Sequence, residues 1–427
     1  MRKLLAILQI FVLMAAMALP TAFAAEAPIM LAGLEAASSS SSTEAQHDWD
    51  TNLFFQTMQE KTGIAFSFTE YVSREAWTEA KTEMLAGEVA MPDMFFKAEL
   101  TPQETLAFYE AGKLIDLRPY LAEYAPHVWA LLEANPEWME AVSLPDGAIV
   151  ALPSINELTP NNTLWINKTW LDRLKMGVPT TAEELTEVLR QFRDRDMNQN
   201  GSRNDEIPLS FVSMWDLRFL AHAFGINADD YYLTEQNGKI SEVLTTEENR
   251  AFLTWLHELY TEGLLDSQGF MAMRLVEAET AKYGVFFGAT PQDVVGVNLA
   301  SEYIALDPLL YNGQQVYRDF TGDLYRGTFA ISSTCAEPEK LLQWVDYLYT
   351  DEGFLAAQVG REGEDYDWND DGTWAYARTA EEVVAMQGTN TIWTTSMPSY
   401  ASAEIQMKMD DDATHALATE LARVRQW

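Results

Sequence analysis

The feature that most limits what this chain can fold into is an alternation of short apolar runs with capped amphipathic segments between residues 64 and 112. Ile64-Ala65-Phe66-Ser67-Phe68 alternates with the two-residue period of a strand, and Met94-Phe95-Phe96 closes a second short apolar run. Residues 49–62 and 73–85 carry helical spacing and stop at Gly63 and Gly87. Thr101-Pro102-Gln103-Glu104 is a helix start, with threonine as N-cap, proline at the first helical position and glutamate to complete a capping box. With residues 28–33 as a first short strand, the order is strand, helix, strand, helix, strand, helix. That order predicts an α/β lobe with a largely parallel sheet.

A similar alternation continues. Residues 148–152 read as a strand, residues 156–163 as a polar crossing between lobes, and Thr163-Leu164-Trp165-Ile166 as the next strand. Thr181-Ala182-Glu183-Glu184 is a second capping box, and its helix places Leu185, Val188, Leu189 and Phe192 on one face. Residues 282–287, 303–306 and 324–331 read as strands, the last two returning to the first lobe, and residues 338–359 as one long helix. A length of 427 residues and 48% hydrophobic composition leave room for two or three domain-sized units with substantial cores.

The helix opened by Thr181 runs into Asp196-Met197-Asn198-Gln199-Asn200-Gly201. Oxygen-bearing side chains at alternate positions, followed by glycine for a sharp turn, form the first half of a calcium loop. Asp205 and Glu206 then bring further acidic oxygens, but the twelfth position is Ile207 rather than glutamate, so the loop is not an EF-hand. The same residues also suit a solvated turn between a helix and a strand. Asp367, Asn369 and Asp371 repeat the spacing without a downstream acid, and Asp371-Gly372 there predicts a hairpin turn.

A formal charge of −37 argues against nucleic acid or an anionic membrane surface as partner, because both repel an acidic protein. Residues 1–24 form a basic start, an apolar run and an A-x-A pattern, which predicts a secretory signal peptide cleaved after Ala24. The mature protein is therefore expected in a periplasm or outside the cell. The single cysteine, Cys335, permits no intramolecular disulfide, and Ala25 stands where a lipoprotein cysteine would be. No G-x-S-x-G, H-E-x-x-H or phosphate-binding glycine loop is present, so no catalytic residue is assigned and an enzyme is not expected. A glycosidase needs two carboxylates across a cleft, and 65 acidic residues leave that alternative open.

The chain resembles the extracellular solute-binding proteins of carbohydrate ABC transporters, in the group that carries a calcium loop. The resemblance rests on an ordered set of stretches: Glu60-Lys61-Thr62-Gly63-Ile64, Ala86-Gly87-Glu88 through Pro92-Asp93-Met94-Phe95, and Ala111-Gly112-Lys113-Leu114-Ile115-Asp116-Leu117. It continues through Pro145-Asp146-Gly147, Leu164-Trp165-Ile166-Asn167-Lys168, Pro179-Thr180-Thr181, the Asp196 loop and Trp344-Val345-Asp346-Tyr347-Leu348-Tyr349. It covers most of residues 50–360.

The resemblance implies a two-lobed, periplasmic-binding-protein-like α/β fold, each lobe a mainly parallel sheet flanked by helices, with a ligand cleft between lobes that close by a hinge. It divides the chain into residues 25–156 in the N-terminal lobe, 157–302 in the C-terminal lobe, 303–337 returning to the first, and 338–427 as hinge-proximal helices and the remainder of the second. It assigns a structural Ca2+ to Asp196, Asn198, Asn200, the Ser202 carbonyl, Asp205 and Glu206, with Asn204 either an inserted residue or a further ligand. Sugars offer apolar ring faces and hydroxyl edges, so aromatic rings beside charged groups are the expected contacts. The candidates are Trp49, Glu99, Trp165, Trp215, Arg218 and Trp393, each of the tryptophans being otherwise a core or rim residue. The implied function is an exported monomer that binds an oligosaccharide and delivers it to the permease subunits of an ABC importer. The alternatives are a secreted carbohydrate-active hydrolase and a glycan-binding adhesion protein.

Overall fold

The computed structural model describes residues 29–36, 49–71, 73–158, 163–212, 214–228, 232–236, 238–271, 281–316, 324–386, 388–392, 396–411, 415–416, 419–420 and 423. The expected signal peptide and Trp393 lie outside the described residues. Among the described residues fourteen strands follow in chain order. They are β1 Ile29–Ala36, β2 Ile64–Tyr71, β3 Met94–Phe96, β4 Ala151–Asn156, β5 Thr163–Asn167, β6 Ile207–Ser210 and β7 Leu233–Gln236. Then come β8 Lys239–Glu242, β9 Tyr283–Gly288, β10 Tyr303–Ala305, β11 Leu324–Ile331, β12 Tyr366–Trp368, β13 Trp374–Tyr376 and β14 Tyr400–Ala401.

The first lobe is built on a six-stranded sheet of order β14-β4-β11-β3-β1-β2. β1 pairs in parallel with β2 and β3, and β14 with β4, while β11 lies antiparallel between β3 and β4. Alternate residues of each strand face opposite layers of helices. Met94 and Phe96 pack with Phe55 and Met58 of the helix Leu53–Thr62 and with Leu341, Trp344 and Val345 of the helix Pro338–Asp346. Phe95 and Ala330 turn the other way, against Trp77 and Met84 of the helix Arg74–Ala86 and Phe108 of the helix Pro102–Glu110. The Thr101 capping box forms as expected, Glu104 N–H donating to Thr101 Oγ1 at 3.2 Å and Thr101 N–H to Glu104 Oε2 at 2.9 Å.

The second lobe holds a four-stranded sheet of order β10-β5-β9-β6. Here the parallel expectation is corrected: only β6 and β9 run parallel, while β5 is antiparallel to both β9 and β10. The chain enters by β5 in one direction and returns along β9 in the other, which no helix–strand alternation reveals. Ile166, Leu209, Val285 and Phe287 pack beneath the helices Ala182–Asp194 and Glu247–Thr261, and Trp165, Phe286 and Tyr303 fill the opposite face. At the second capping box Thr181 accepts from Glu184 N–H at 3.1 Å, but the Glu184 carboxylate takes the Thr180 N–H instead, at 2.8 Å.

Three chain segments fall elsewhere than expected. β10 pairs with β5, so Tyr303–Ala305 belongs to the second sheet and the return to the first lobe comes after it. The expected long helix is broken: Thr350 is extended and caps a new turn by accepting from Gly353 N–H at 3.0 Å. A Cβ at Gly353 would meet the Tyr347 carbonyl, so the break depends on close backbone approach. The segment after residue 338 stays with the first lobe, where the helix Pro338–Asp346 joins its core and β14 its sheet, while Glu420 and Arg423 reach back to the second, Glu420 accepting from Ala305 N–H at 3.3 Å and Arg423 donating to the Ala305 carbonyl and pairing with Asp307.

His222 gives the second lobe a built-in pH dependence. Burial, at 8% exposure, holds its imidazole pKa down at about 4, from an ordinary 6.5. The neutral ring is stabilising above pH 6.5, and that contribution is lost as the pH falls from 6.5 through about 4, because the unfolded chain takes up the proton first. We expect the urea midpoint to fall across this window by an amount corresponding to roughly 2–3 kcal/mol. His222→Phe should flatten that stretch of the pH–stability curve; an unchanged slope would assign it to carboxylates elsewhere.

Candidate functional site

In open α/β sheets ligands bind beyond the carboxyl ends of the strands, where side chains on loops converge and the backbone is unpaired. In the first lobe β1, β2 and β3 all end at one edge, β4 ends there too, and β11 begins there, with Tyr325 opposite Ser154. In the second lobe β6, β9 and β10 end at one edge and β5 begins there, Thr163 lying opposite Gly288 and Trp165 opposite Ala305. The link from β4 to β5 spans residues 157–162. Such a link brings these two edges within about 25 Å of one another at that point, the reach of an extended chain of this length.

The first edge gathers Trp49, Glu70, Lys97, Glu99 and Tyr325. Trp49 follows β1, its backbone N–H donates to Glu70 Oε1 at 3.0 Å, and the Lys97 ammonium sits 5.2 Å from its ring centroid. The indole is fully buried, so Trp49 is a core residue on its ring side, at the margin of the edge. Beyond β3 the backbone is unusual: Lys97 and Glu99 both have φ of 50°, a region that side chains seldom occupy. Ala98 and Leu100 between and after them are buried, donating to the Thr328 and Gly327 carbonyls at 3.1 and 2.9 Å. Glu99 is thereby turned outward, half-exposed, as a ligand contact requires.

The second edge carries Trp215 and Arg218 beyond β6, on the short helix Met214–Leu217 and the turn after it. The guanidinium of Arg218 lies 5.0 Å from the Trp215 ring centroid, and Phe219 meets that ring edge-on at 4.7 Å. Trp215 is 41% exposed, the most open of the described candidate tryptophans. Asp216 fixes the turn by accepting from Val212 N–H at 2.6 Å. A stacked guanidinium beside a solvent-facing indole presents an apolar face and N–H donors side by side.

Trp165 departs from its expected role. It is 2% exposed, packs with Tyr283, Phe286 and Tyr303, and donates from Nε1 to the Gly288 carbonyl at 2.9 Å. A strand residue is buried when its alternation faces a helical layer, and the position after a crossing does not override that. The residue that the sequence reasoning missed is Tyr325, which looked like part of an ordinary strand.

The Asp196 loop lies at the other end of β6, before its first residue. Asp196 accepts from the Asn200 and Gly201 N–H groups at 3.1 and 2.9 Å, Asn200 Oδ1 from Ser202 N–H at 2.8 Å, and Glu206 Oε1 from Met197 N–H at 2.7 Å. The Asn198 and Asn200 amides donate to Asp205 Oδ2 at 3.3 and 2.6 Å. Desolvation pushes the Asp205 carboxyl up, and hydrogen bonds from Asn200, Ser202 and Asn198 outweigh it, leaving its pKa below the ordinary carboxylate value. Among the described residues no three His, Cys, Asp or Glu side chains converge as a metal cluster, since the donors here are mixed acid and amide. Two oxygens nevertheless fit a hard cation: Asp205 Oδ1 and Glu206 Oε2 are buried without a hydrogen-bond partner. The second Asp/Asn run forms the β12–β13 hairpin, with Asp371 accepting from Thr373 N–H at 3.0 Å.

Large surface hollows flank both edges. One of about 520 Å³ runs between Tyr71 and the helix Arg74–Ala86, and an apolar one of about 410 Å³ lies against the helix Glu247–Thr261. Each belongs to one lobe, whereas a cleft between lobes need not register as a hollow of either.

No family model matches the chain. It is 26% identical over 344 residues to the fructooligosaccharide ABC transporter substrate-binding protein FusA of Streptococcus pneumoniae, a match covering 77% of this chain and 63% of FusA. The solved structure of FusA with kestose superposes with a TM-score of 0.72 at 23% identity, over 93% of this chain and 83% of FusA; FusA has also been solved as an EF-hand mutant with fructo-nystose. An extracellular solute-binding protein from Bifidobacterium longum subsp. infantis superposes with a TM-score of 0.76 at 23% identity, over 93% of this chain and 81% of that one. The chain therefore has the two-lobed fold of these solute-binding proteins.

Glu206 closes the Asp196 loop through its bonds to Met197 and Asn198 N–H, so Glu206→Ala should destabilise the second lobe by about 1–3 kcal/mol. Urea denaturation followed by tryptophan fluorescence would show it; an unchanged midpoint would make the loop an independent surface turn.

Proposed function

We propose that the protein is an exported oligosaccharide-binding component of an ABC importer, which holds its ligand between the two carboxyl edges and passes it to membrane permease subunits. The observation that carries this reading is the pairing of the fold with those edges: an exposed Trp215 stacked by Arg218 on one, and an outward-turned Glu99 on the other. FusA, named for fructooligosaccharides and solved with kestose, supports the ligand class. An acidic surface, −37 in formal charge, suits a neutral sugar better than a polyanion. Trp393 stays a proposed ligand contact, while the buried Trp49 and Trp165 serve the cores of their lobes. Export follows from the signal-like residues 1–24, and among the described residues no helix is long and apolar enough to cross a membrane.

A structural calcium in the Asp196 loop belongs to the same reading, supported by the two buried unpaired oxygens and the EF-hand of FusA. Asp196, Asn198, Asn200, the Ser202 carbonyl, Asp205 and Glu206 would hold it, joining the helix Ala182–Asp194 to β6. Lying at the opposite end of β6 from Trp215, it would brace the lobe without touching the sugar. We expect chelator to lower the melting temperature while a calcium add-back restores it, with glycan affinity changed less than about threefold. Loss of affinity without loss of stability would overturn the bracing role.

The functional reading is tested by a panel of kestose, nystose, maltotriose, an N-glycan core and an alginate oligomer. At least one should raise the melting temperature saturably and change tryptophan fluorescence, and chromatography should recover it intact. Cleavage would favour a hydrolase, and silence across the panel an adhesion or scaffold protein.

A further inference from the structure

We infer that Tyr325 is a specificity-determining residue of the ligand site, forming with Glu99 a single wall on the first-lobe edge that takes a sugar ring by its face and by an adjacent hydroxyl. The inference rests on the oligosaccharide reading above and extends it to a residue on β11. Tyr325 is 47% exposed at the start of that strand, with Arg326 exposed beside it and burial beginning at Gly327.

The backbone there is shaped to present it. The pairing of β11 with β4 shifts register between Tyr325 and Phe329, and such a bulge re-aims the side chains before it. Gly327 stands inside the bulge at φ 72°, and a Cβ on it would lie 2.1 Å from the Leu100 carbonyl oxygen. Only glycine lets the segment after β3 approach that closely. The same approach holds Leu100 N–H on the Gly327 carbonyl and, one residue earlier, leaves Glu99 at its left-handed φ of 50°. Two irregularities, one on β11 and one after β3, thus bring Tyr325 and Glu99 to the same edge, close enough for the Glu99 carboxylate to act on the Tyr325 phenol. Desolvation and this carboxylate raise the phenol pKa to about 12, so it stays a donor at neutral pH. Tyr325 offers its ring and a phenol O–H, and Glu99 offers carboxylate oxygens to accept from a ligand hydroxyl.

The full chain, wild type and variants, would be titrated calorimetrically with the panel sugar that binds most tightly. Tyr325→Phe keeps the ring and removes the O–H donor, and should weaken binding about threefold to tenfold. Tyr325→Ala removes the ring as well and should cost about a hundredfold. Tyr260→Ala, in the apolar hollow of the second lobe, should leave affinity unchanged, and melting curves of all variants should stay within a few degrees of wild type. A truncated carbohydrate lacking the recognised hydroxyl should lose less in Tyr325→Phe than the parent sugar does. Wild-type binding that survives intact in Tyr325→Ala overturns this inference and leaves the oligosaccharide reading standing. A wild-type chain that binds no member of the panel overturns that reading, and this inference with it.

Discussion

The structure depends on one strand, β11, which joins the first sheet late in the chain, after the strands of the second sheet, and lies antiparallel between β3 and β4. Residues 327–331 of it are buried, and Phe329, Ile331 and Ala330 complete the two cores on either face of the sheet. Without it the parallel strands β1, β2 and β3 would expose an unpaired edge, and β4 would have no partner but the two residues of β14. Its arrival also means that the first lobe cannot close until the chain has passed through the second. The sheet is therefore a tie between lobes as much as a core.

That arrangement accounts for where the candidate contacts lie. Because β11 runs opposite to β3, its first residues stand beside the last residues of the parallel strands, so one edge collects side chains from chain positions more than two hundred residues apart. The second lobe reaches the same result by a different route: β5 starts where β6 and β9 end, which places Thr163, Gly288 and the Trp215 turn on one side. The calcium-like loop is at the amino end of β6 and so is separated from that side by the length of the strand.

The elements themselves were legible where local chemistry decides them. Thr101 with Pro102 and Glu104, the glycine stops at Gly63 and Gly87, and the apolar face of the helix Ala182–Asp194 all appear as the residues dictate. Pairing direction was not legible, because β5 and β10 carry the same apolar run whichever way their partner points. Lobe membership after residue 338 was hidden for the same reason: Leu342 and Val345 demand burial without naming the sheet that supplies it. Among the candidate contacts, spacing after a strand placed Glu99, Trp215 and Arg218 beyond the carboxyl ends of β3 and β6, but it could not separate Trp165, which alternation sends inward, from residues that alternation sends outward.

Tyr325 shows what kind of signal would have served. Its strand reads Leu324-Tyr325-Arg326-Gly327-Thr328-Phe329, and a glycine inside an otherwise strand-like run marks a bulge or a close backbone approach. Gly327 does both, with positive φ and the Leu100 carbonyl against its Cα face. A bulge in a central strand weakens the ladder and persists only where the surrounding packing holds it, here by Thr328 Oγ1 donating to the Leu152 carbonyl at 2.9 Å and by the Ala98 and Leu100 bonds. The irregularity is thus fixed from both sides, by β4 and by the segment after β3. What it leaves exposed at this edge is Tyr325 and Arg326, with Glu99 partly exposed on the adjoining segment, so an aromatic face and charged groups stand together as a sugar's face and edge would use them.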